Sequence, residues 1–482
     1  MIVSAAEAGS DEVPYFVPSK KVYPQHVAGP FRRAKWLILL TCLGIYYALP
    51  FVRWERGPNL PNQAVLADIA HNRFYFFFIE IWPQEVYYFT GLLILAAFML
   101  FLMNAVAGRL WCGYLCPQTV WTDLFLAVER AFEGDRRERI RRDEGPWNVD
   151  KLWRKILKHT SWLMIAWWTG GAWVLYFADA PTLVRALASF TAPVAAYVWI
   201  AILTFTTYAL AGIMREQVCK YMCPWPRIQA ALTDDDALNV TYRYDRGEPR
   251  TSFKQASRLR ALGEPAGDCV DCQQCVAVCP TGIDIRDGSQ LDCIQCGLCI
   301  DACDSVMTKT GRPHGLIGYD TADNVERRRA GKATRYRPIR ARTVIYAILI
   351  ALVGTAMLYQ LGTRRTVEIS VLHERTPLFV KLSDGSIRNA YAIRILNKRP
   401  DTRLIVLTVA GLSGIRLEAV GTDATADGRP IVTVEPDASR EARVLVTVPP
   451  GVALRDTQPI SFIASDLFVG EVVRTQDHFF AP

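Results

Sequence analysis

Eight of the thirteen cysteines in this chain lie within 35 consecutive residues, in two runs of identical spacing. The runs are Cys269-x2-Cys272-x2-Cys275-x3-Cys279-Pro280 and Cys293-x2-Cys296-x2-Cys299-x3-Cys303. This spacing is typical of bacterial ferredoxin domains that hold two cubane iron–sulfur clusters. Zinc and disulfides are the competing interpretations, but zinc sites usually use paired Cys-x2-Cys units rather than three cysteines in step followed by a fourth. The pattern predicts two [4Fe-4S] clusters and electron transfer.

The ligands of the two clusters follow from the same spacing. Three closely spaced cysteines hold one cluster, and the fourth cysteine of each run reaches across to the other cluster. The first predicted set is Cys269, Cys272, Cys275 and Cys303. The second predicted set is Cys279, Cys293, Cys296 and Cys299.

The apolar residues of the chain are concentrated in separate stretches of nearly membrane-spanning length. Hydrophobic residues make up 51% of the 482 residues, and about 20 apolar residues in a helix cross the ~30 Å hydrocarbon core of a bilayer. We predict an integral membrane protein with an α-helical bundle of five spans. A buried soluble helix is the competing interpretation for the first and third, which are short. The predicted spans are Ala34–Val52, Val86–Ala107, Thr160–Phe177, Val194–Met214 and Thr343–Leu361.

Lysine and arginine flank these spans unevenly. Eleven of them lie between the second and third spans, and a further group runs from Arg327 to Arg342, whereas the opposite loops hold only Arg53, Arg56, Arg73 and Arg185. Because cytoplasmic loops carry the excess of basic residues, we expect the N-terminus, the loop after the second span and the cysteine runs to be cytoplasmic and the tail to lie outside the membrane. The net charge of +8 is then a topology signal, and the chain has no separate basic domain for nucleic acid.

The tail beyond the fifth span has a different character. It contains no cysteine, and short β-rich runs alternate with turn signals such as Asp384-Gly385 and Asp427-Gly428. About seven short strands over roughly 115 residues favour a β-sandwich of the immunoglobulin type. The predicted strands include Val367–Val371, Ala390–Ile395, Leu404–Val409, Ile431–Val434, Ala442–Val448 and Pro459–Ala464.

Four further cysteines form an internal repeat at two span ends. Cys112-Gly113-Tyr114-Leu115-Cys116-Pro117 follows the second span, and Cys219-Lys220-Tyr221-Met222-Cys223-Pro224 follows the fourth. Residues four apart on a helix share a face, so each motif presents two sulfurs together. Soft thiolates select copper(I), zinc or an iron–sulfur cluster, while a redox dithiol pair or a set of buried structural cysteines would fit the same spacing. Cys42 stands alone in the first span and is interpreted as a packing residue.

Two Cys-x3-Cys-Pro motifs followed by a twin-cluster segment resemble the polyferredoxin membrane proteins that include NapH. With a fifth span and a β-sandwich, the whole chain is similar to the CcoG/FixG/RdxB family, accessory proteins of cbb3-type cytochrome c oxidase. The stretches that support the resemblance are Phe78–Gln84, Cys279–Gly288 and Gly315–Thr321. Asp304 departs from the ferredoxin pattern, which places proline after the last cysteine, and we expect it to alter the turn without removing a ligand.

The resemblance implies a protein of the inner membrane of Gram-negative bacteria that reduces copper(II) to copper(I) for oxidase assembly. Electrons from a cytoplasmic donor would pass through the two clusters to copper at the catalytic residues Cys112, Cys116, Cys219 and Cys223. The implied partners are copper chaperones or a transporter, the oxidase assembly machinery and membrane lipid. No nucleotide-binding glycine motif is apparent, and no facing pair of histidines suggests haem.

Two further functions fit the same residues. One is a quinol-oxidising electron-transfer subunit of a respiratory complex, and the second is a non-enzymatic assembly scaffold or redox sensor. The predicted organisation is 1–33 tail, 34–232 four-helix membrane region, 233–262 linker, 263–323 ferredoxin-like domain, 324–342 basic segment, 343–361 fifth span and 362–482 sandwich.

Overall fold

The computed structural model describes residues 21–57, 60–399, 401–452 and 454–482. The first 20 residues of the predicted tail 1–33 therefore lie outside the described residues. The chain divides into two compact units. One contains the described residues up to Val52 together with Gln63–Thr355, and the other contains the described residues of Arg53–Asn62 together with Ala356–Pro482. Most of the membrane helices and the ferredoxin-like segment thus share one unit.

The helices of the described chain follow one another in short steps through the first unit. They are α1 Pro30–Ala48, α2 Tyr87–Ala107, α3 Leu110–Tyr114, α4 Pro117–Glu133, α5 Arg136–Glu144, α6 Val149–Val174, α7 Ala180–Ala188, α8 Val194–Thr207, α9 Trp225–Leu232, α10 Tyr244–Gly247, α11 Phe253–Ala261, α12 Gln274–Ala277, α13 Leu298–Lys309, α14 Ala322–Arg329 and α15 Ala341–Gly362. Two π-helical segments, Tyr208–Met214 and Val218–Met222, continue from α8 toward α9.

Four helices in the described chain are long and apolar enough to cross a membrane. They are Pro30–Phe51, Pro83–Ala107, Val194–Met214 and Ala341–Gly362, and most of their apolar side chains face outward, as expected where lipid replaces a protein core. The predicted span Thr160–Phe177 is not confirmed. It falls mostly in the second half of α6, where four tryptophans are interspersed with threonine and glycine and keep the segment less hydrophobic than the other spans.

Five short strands complete the described part of the first unit. The strands β1 Val65–Asp68, β2 Arg73–Phe76 and β3 Ile79–Ile81 form an antiparallel sheet just before α2. The strands β4 Asn239–Tyr242 and β5 Ile317–Asp320 pair across the ferredoxin-like segment and close a core of apolar side chains around its cysteines. The helix α13 runs on through Asp304, whose carboxylate accepts a hydrogen bond from the amide of Gly315 at 2.8 Å.

The ferredoxin-like segment is fixed to the start of α1. Asp301 of α13 accepts hydrogen bonds from the backbone amides of Phe31 and Arg32 at 3.2 and 2.8 Å. These amides belong to the first turn of α1 and have no carbonyl partner within their own helix. Asp301 therefore caps the first membrane helix from the cluster-binding domain, an arrangement favoured by the helix dipole.

The second unit is a sandwich of two antiparallel sheets. One sheet has the order β10-β13-β8-β6 with β7 paired to β8, and the other has the order β11-β12-β9-β14-β15. All six predicted strands lie inside observed ones. The strands are β6 Val367–His373, β7 Val380–Lys381, β8 Ile387–Asn397, β9 Arg403–Ala410, β10 Arg416–Ala419, β11 Asp423–Ala424, β12 Pro430–Val434, β13 Ser439–Val448, β14 Thr457–Asp466 and β15 Val472–Phe480.

The core of the sandwich is apolar and contains no cysteine. Alternate residues of each strand point inward, so that Tyr391, Ile393, Val444, Val446 and Phe462 are fully buried between the sheets. This alternation is the period of two that a half-buried strand requires. The interior supplies the stability that a disulfide gives many extracellular domains.

Candidate redox site

The first predicted ligand set lines one cavity. Cys269, Cys272, Cys275 and Cys303 face it, and the remaining lining is mainly apolar. Cys269, Cys275 and Cys303 are buried, whereas Cys272 is exposed. We call this cavity the outer cluster site, because one of its thiols reaches the surface. Four thiols in a largely apolar cavity match the donor set of a [4Fe-4S] cluster.

The second predicted ligand set lines an adjacent cavity. Cys279, Cys293, Cys296 and Cys299 face this space, which we call the inner cluster site, and Cys275 of the outer site touches it too. Burial raises the pKa of the Cys293 thiol to about 12. A shared lining residue means that the two sites are neighbours. The chemistry of both donor sets therefore fits two clusters arranged for electron exchange.

The backbone wraps both sites in the same way. In the first run Asp271 and Gln273 have positive φ angles of 50° and 53°, and in the second run the equivalent residues Gln295 and Gly297 have 54° and 73°. A left-handed residue between successive cysteines turns the chain so that its amides point into the concavity. Asp271, Gln273 and Gln295 carry side chains and are strained in this conformation, and such strain clusters at ligand-binding loops.

The remaining four site cysteines come together at the ends of two membrane helices. Cys112 lies in α3 and Cys116 precedes α4, while Cys219 and Cys223 lie in and directly after the π-helical turn Val218–Met222. We call this group the four-cysteine site. Cys223 is exposed, whereas the other three thiols are half-buried.

The electrostatics of the four-cysteine site follow from burial and from the proximity of its thiols. Burial, together with the neighbouring thiols of Cys116 and Cys219, raises the pKa of Cys112 to about 12. Burial and the thiols of Cys116 and Cys223 raise the pKa of Cys219 likewise. Among the described residues, no three His, Cys, Asp or Glu side chains are gathered closely enough to hold a single metal ion.

The repeat of 107 residues extends to the backbone that precedes each motif. Gly108, four residues before Cys112, has φ 54° and ψ −126°, and Arg215, four residues before Cys219, has φ 46° and ψ −114°. Glycine adopts this conformation readily, but a residue with a side chain is strained there. The same sharp turn therefore precedes both cysteine pairs, and only the first repeat has glycine at this position.

Buried charges hold Arg215 in this conformation. Its guanidinium donates to the carboxylate of Glu129 at 2.9 Å and to the carbonyl of Gly212 at 2.8 Å, and it lies 5.3 Å from the centre of the Trp162 ring. Glu129 also pairs with Arg139 at 2.8 Å and with Lys158 at 3.4 Å. Burial opposes the ionisation of Glu129, but these three cations lower its pKa to about 2.

The four-cysteine site is in direct contact with the inner cluster site. Cys112 packs against an apolar cluster that includes Ile294 and Cys296. Gly113 approaches the same loop so closely that an added Cβ would lie 2.8 Å from the carbonyl oxygen of Ile294 and 3.1 Å from the Cα of Cys296. Cys219 borders a small cavity that Ile294 and Thr281 also line. Both motifs thus adjoin the loop that supplies the inner-site thiols.

Polar contacts fix this junction. The Tyr114 hydroxyl donates to the carbonyl of Cys296 at 3.0 Å, and Lys220 pairs with Asp292 at 3.4 Å. Arg109 donates from its side chain to the carbonyl of Cys293 at 3.2 Å and from its backbone amide to Gln295 at 2.8 Å. The loop from Asp292 to Cys296 is therefore held by residues from both repeats.

The sequence patterns did not predict four residues that build or support the site, namely Arg109, Glu129, Arg215 and Asp301. The repeat carried a signal for Arg215, because this residue aligns with Gly108. The contacts of Arg109, Glu129 and Asp301 join segments far apart in the chain, and no local sequence pattern indicates them.

The fold and the site define a membrane-spanning iron–sulfur protein with a ferredoxin-like dicluster segment and a β-sandwich. The family described as "4Fe-4S dicluster domain" matches residues 214–322, and the family described as "IG-like fold at C-terminal of FixG, putative oxidoreductase" matches residues 357–482. A third family, "4Fe-4S binding domain", matches residues 89–133, a stretch whose only cysteines are Cys112 and Cys116.

Whole-length relatives specify the family. The nitrogen fixation protein FixG of Rhizobium meliloti is 50% identical over 444 residues, which cover 87% of this chain and 84% of that protein. Protein RdxA of Cereibacter sphaeroides is 52% identical over 412 residues, covering 85% of this chain and 86% of the relative. Protein RdxB of the same organism is 49% identical over 413 residues, with the same coverage. The chain belongs to the FixG/CcoG/RdxB family.

Proposed function

We propose that this protein is a copper(II) reductase that supplies copper(I) for the assembly of a cbb3-type oxidase. The observation that carries the proposal is the close approach of Gly113 to the inner-site loop at Ile294 and Cys296, next to Cys112, which packs against the apolar cluster that contains both residues. Although no three of the described thiols are close enough to hold one ion, a pair of thiols beside a cluster site can bind a thiophilic ion where it can accept an electron.

The exposure of the cysteines at the three sites indicates a direction for electron transfer. Cys272 of the outer site is exposed and offers contact to a soluble electron donor, while the inner site lies between the outer site and the four-cysteine site. At the far end Cys223 is exposed, and Cys112 packs against the apolar cluster that contains Ile294 and Cys296. Copper would therefore enter at Cys223 and accept its electron near Cys112.

The chemistry balances with one electron for each copper ion. Clusters held by the two ligand sets would supply one-electron transfer, and each copper(II) reduced to copper(I) would consume one electron. Thiolates retain copper(I) in preference to harder ions, and the protonated thiols release protons as they bind the metal. The unidentified donor must restore one electron for each copper ion that leaves.

Quinol oxidation is the first competing function. A large apolar cavity does lie among the helices, lined by Tyr47, Trp167, Trp168 and Tyr197 among others. Tyr47 follows Phe31 by sixteen positions on α1, a distance of about 24 Å at 1.5 Å per residue, and Phe31 packs against Gly297 beside the inner site. A quinol in that cavity would be remote from the cluster sites, which favours copper over quinol as the reactant.

A third cluster is the second competing interpretation of the four-cysteine site, because the family match over residues 89–133 describes 4Fe-4S binding. Iron content separates the two. We expect about eight iron atoms per chain, as for two [4Fe-4S] clusters, rather than about twelve, as for three. A non-enzymatic scaffold or redox sensor would also hold two clusters but would not turn copper over.

The experiment is a copper(II) titration of the purified protein after anaerobic chemical reduction, with the Cys112→Ser and Cys219→Ser variants beside it. Cys42→Ser is the matched control, since Cys42 lies in α1 outside all three sites. We expect the wild type and the control to form copper(I), and both site variants to lose copper binding while keeping their cluster absorption. Unchanged copper binding in the site variants would refute the assigned site.

We also propose the cellular arrangement that the basic loops suggest. The N-terminus and the three sites would face the cytoplasm, and the sandwich would face the periplasm of a bacterial inner membrane. Copper chaperones or a transporter would take copper(I) from the exposed Cys223 edge. Labelling of an introduced surface cysteine in the sandwich by a membrane-impermeant reagent on spheroplasts tests the placement. Labelling only after lysis of the spheroplasts would place the sandwich on the cytoplasmic side instead.

A further inference from the structure

The turn between β14 and β15 exposes three consecutive apolar side chains. Leu467, Phe468 and Val469 have 50%, 76% and 48% of their surface accessible. The turn is ordered, because the amides of Phe468 and Val469 donate to one carboxylate oxygen of Asp466 at 2.7 and 2.9 Å. The fold therefore holds an apolar tip outward from the sandwich, although exposing it to water is unfavourable.

The tip is fixed to the first residues of the sandwich. Glu471, just beyond the turn, accepts a hydrogen bond from the amide of Thr366 at 2.9 Å. The buried side chain of Arg403 pairs with Asp466 at 3.0 Å and with Glu471 at 3.1 Å, and so ties both ends of the turn together. The apolar tip thus lies at the same end of the sandwich as Thr366.

Thr366 is close to a membrane helix in the chain. The membrane-spanning helix α15 ends at Gly362, and the four residues to Thr366 reach at most about 14 Å when fully extended. Arg365, in this connection, is exposed, and long basic side chains near the ends of membrane helices extend into the headgroup layer. The end of the sandwich that bears the tip is therefore the end at which the chain leaves the membrane.

We propose that the Leu467–Val469 tip inserts into the interfacial layer of the lipid bilayer and anchors the sandwich to the membrane surface. Aromatic and aliphatic side chains partition into this layer. The ligand is lipid, with acyl chains contacting Phe468 and headgroup phosphate contacting Arg365. This anchoring is independent of the reaction at the four-cysteine site.

The test is photo-cross-linking of the full-length protein in nanodiscs of phosphatidylcholine and phosphatidylglycerol. Benzoylphenylalanine replaces Phe468 in one variant and Leu372 in the control. Leu372 is an equally apolar residue with 68% of its surface exposed, and it lies about 17 Å along β6 from Val367 at 3.4 Å per residue. Intact-mass and peptide mass spectrometry then report lipid adducts. We expect a several-fold excess of lipid adduct at position 468 over position 372.

Two outcomes would overturn the proposal. Equal lipid labelling at positions 468 and 372 would mean that the tip does not contact the bilayer preferentially. A cross-link from position 468 to protein, within the chain or to a second copy, would make the tip a protein-binding surface instead. If the variant at position 468 does not assemble, benzoylphenylalanine at Val469 tests the same contact with lipid, because Val469 lies in the same exposed turn.

Discussion

The hydroxyl of Tyr114 donates a hydrogen bond to the backbone carbonyl of Cys296 at 3.0 Å. Tyr114 is the central residue of the first Cys-x-Tyr-x-Cys motif, and Cys296 is a predicted ligand of the inner cluster. The bond joins the proposed electron outlet to the preceding cluster site. Its equivalent in the second repeat, Tyr221, is 70% exposed, so the two halves of the four-cysteine site differ in their relation to the clusters.

Replacing Tyr114 by phenylalanine should loosen this junction. The variant leaves the buried carbonyl of Cys296 without that donor, at a cost of about 1–3 kcal/mol in the free energy of unfolding. We expect a lower midpoint of thermal unfolding and slower copper(II) reduction. Tyr221→Phe is the matched control, because its side chain is exposed, and it should leave both measurements unchanged. Equal effects of the two substitutions would contradict the role assigned to Tyr114.

Gly113→Ala should separate the four-cysteine site from the inner-site loop. The new methyl group would meet the backbone at Ile294 and Cys296, and overpacking of this kind costs about 1–3 kcal/mol. Electron transfer falls steeply with separation, so we expect a slower copper-dependent reoxidation of the clusters with iron content preserved. Gly44→Ala, a helical glycine with open space around it, is the control for the loss of glycine as such.

Two substitutions at Arg215 separate the energetic cost of its strained backbone from the contribution of its ion pair. Arg215→Ala removes the side chain but retains a Cβ at φ 46°, whereas Arg215→Gly removes the side chain and the strain together. We expect glycine to be more stable than alanine here by about 1–3 kcal/mol, the reverse of the usual order inside a helix. Chemical denaturation monitored by tryptophan fluorescence measures the difference. A more stable alanine variant would show that the backbone is unstrained.

Glu129→Gln should be severely destabilising. Arg139, Lys158 and Arg215 would then surround a neutral side chain that is 1% exposed, and removal of one partner from a buried charge network costs about 3–5 kcal/mol. Thermal unfolding in detergent should show a large decrease in the midpoint. Asp150→Asn, which breaks the exposed pair with Arg154, should change the midpoint little. A small effect at Glu129 would mean that water or a neighbouring carboxylate replaces it.

The grouping of the cysteines could be predicted from sequence because their spacing is periodic or repeated, while their roles as ligands stay predictions. Cysteine spacing separated the two ligand sets that line two cavities, since each thiol must reach a fixed corner of a cube. The six strands were apparent because inward side chains such as Ile393 and Val444 alternate with more exposed ones. The repeat of the Cys-x-Tyr-x-Cys motif indicated that four thiols belong together.

What could not be predicted depends on contacts between distant segments. Asp301 lies between two cluster ligands, and nothing in its neighbours reveals that it caps a helix 270 positions earlier in the chain. The strained backbone of Arg215 is held by contacts with Glu129 and Trp162, which belong to other helices. The third predicted span is unconfirmed because its tryptophans lower its hydropathy, and one of them, Trp162, is buried inside the bundle.

The most direct test of the proposed relay is freeze-quench electron paramagnetic resonance of the anaerobically reduced protein mixed with copper(II). We predict that the signals of the reduced clusters and of copper(II) decay together, with one electron lost for each copper ion reduced, and that the Cys112→Ser variant abolishes both decays. Persistence of the copper(II) signal beside clusters that stay reduced would contradict the account.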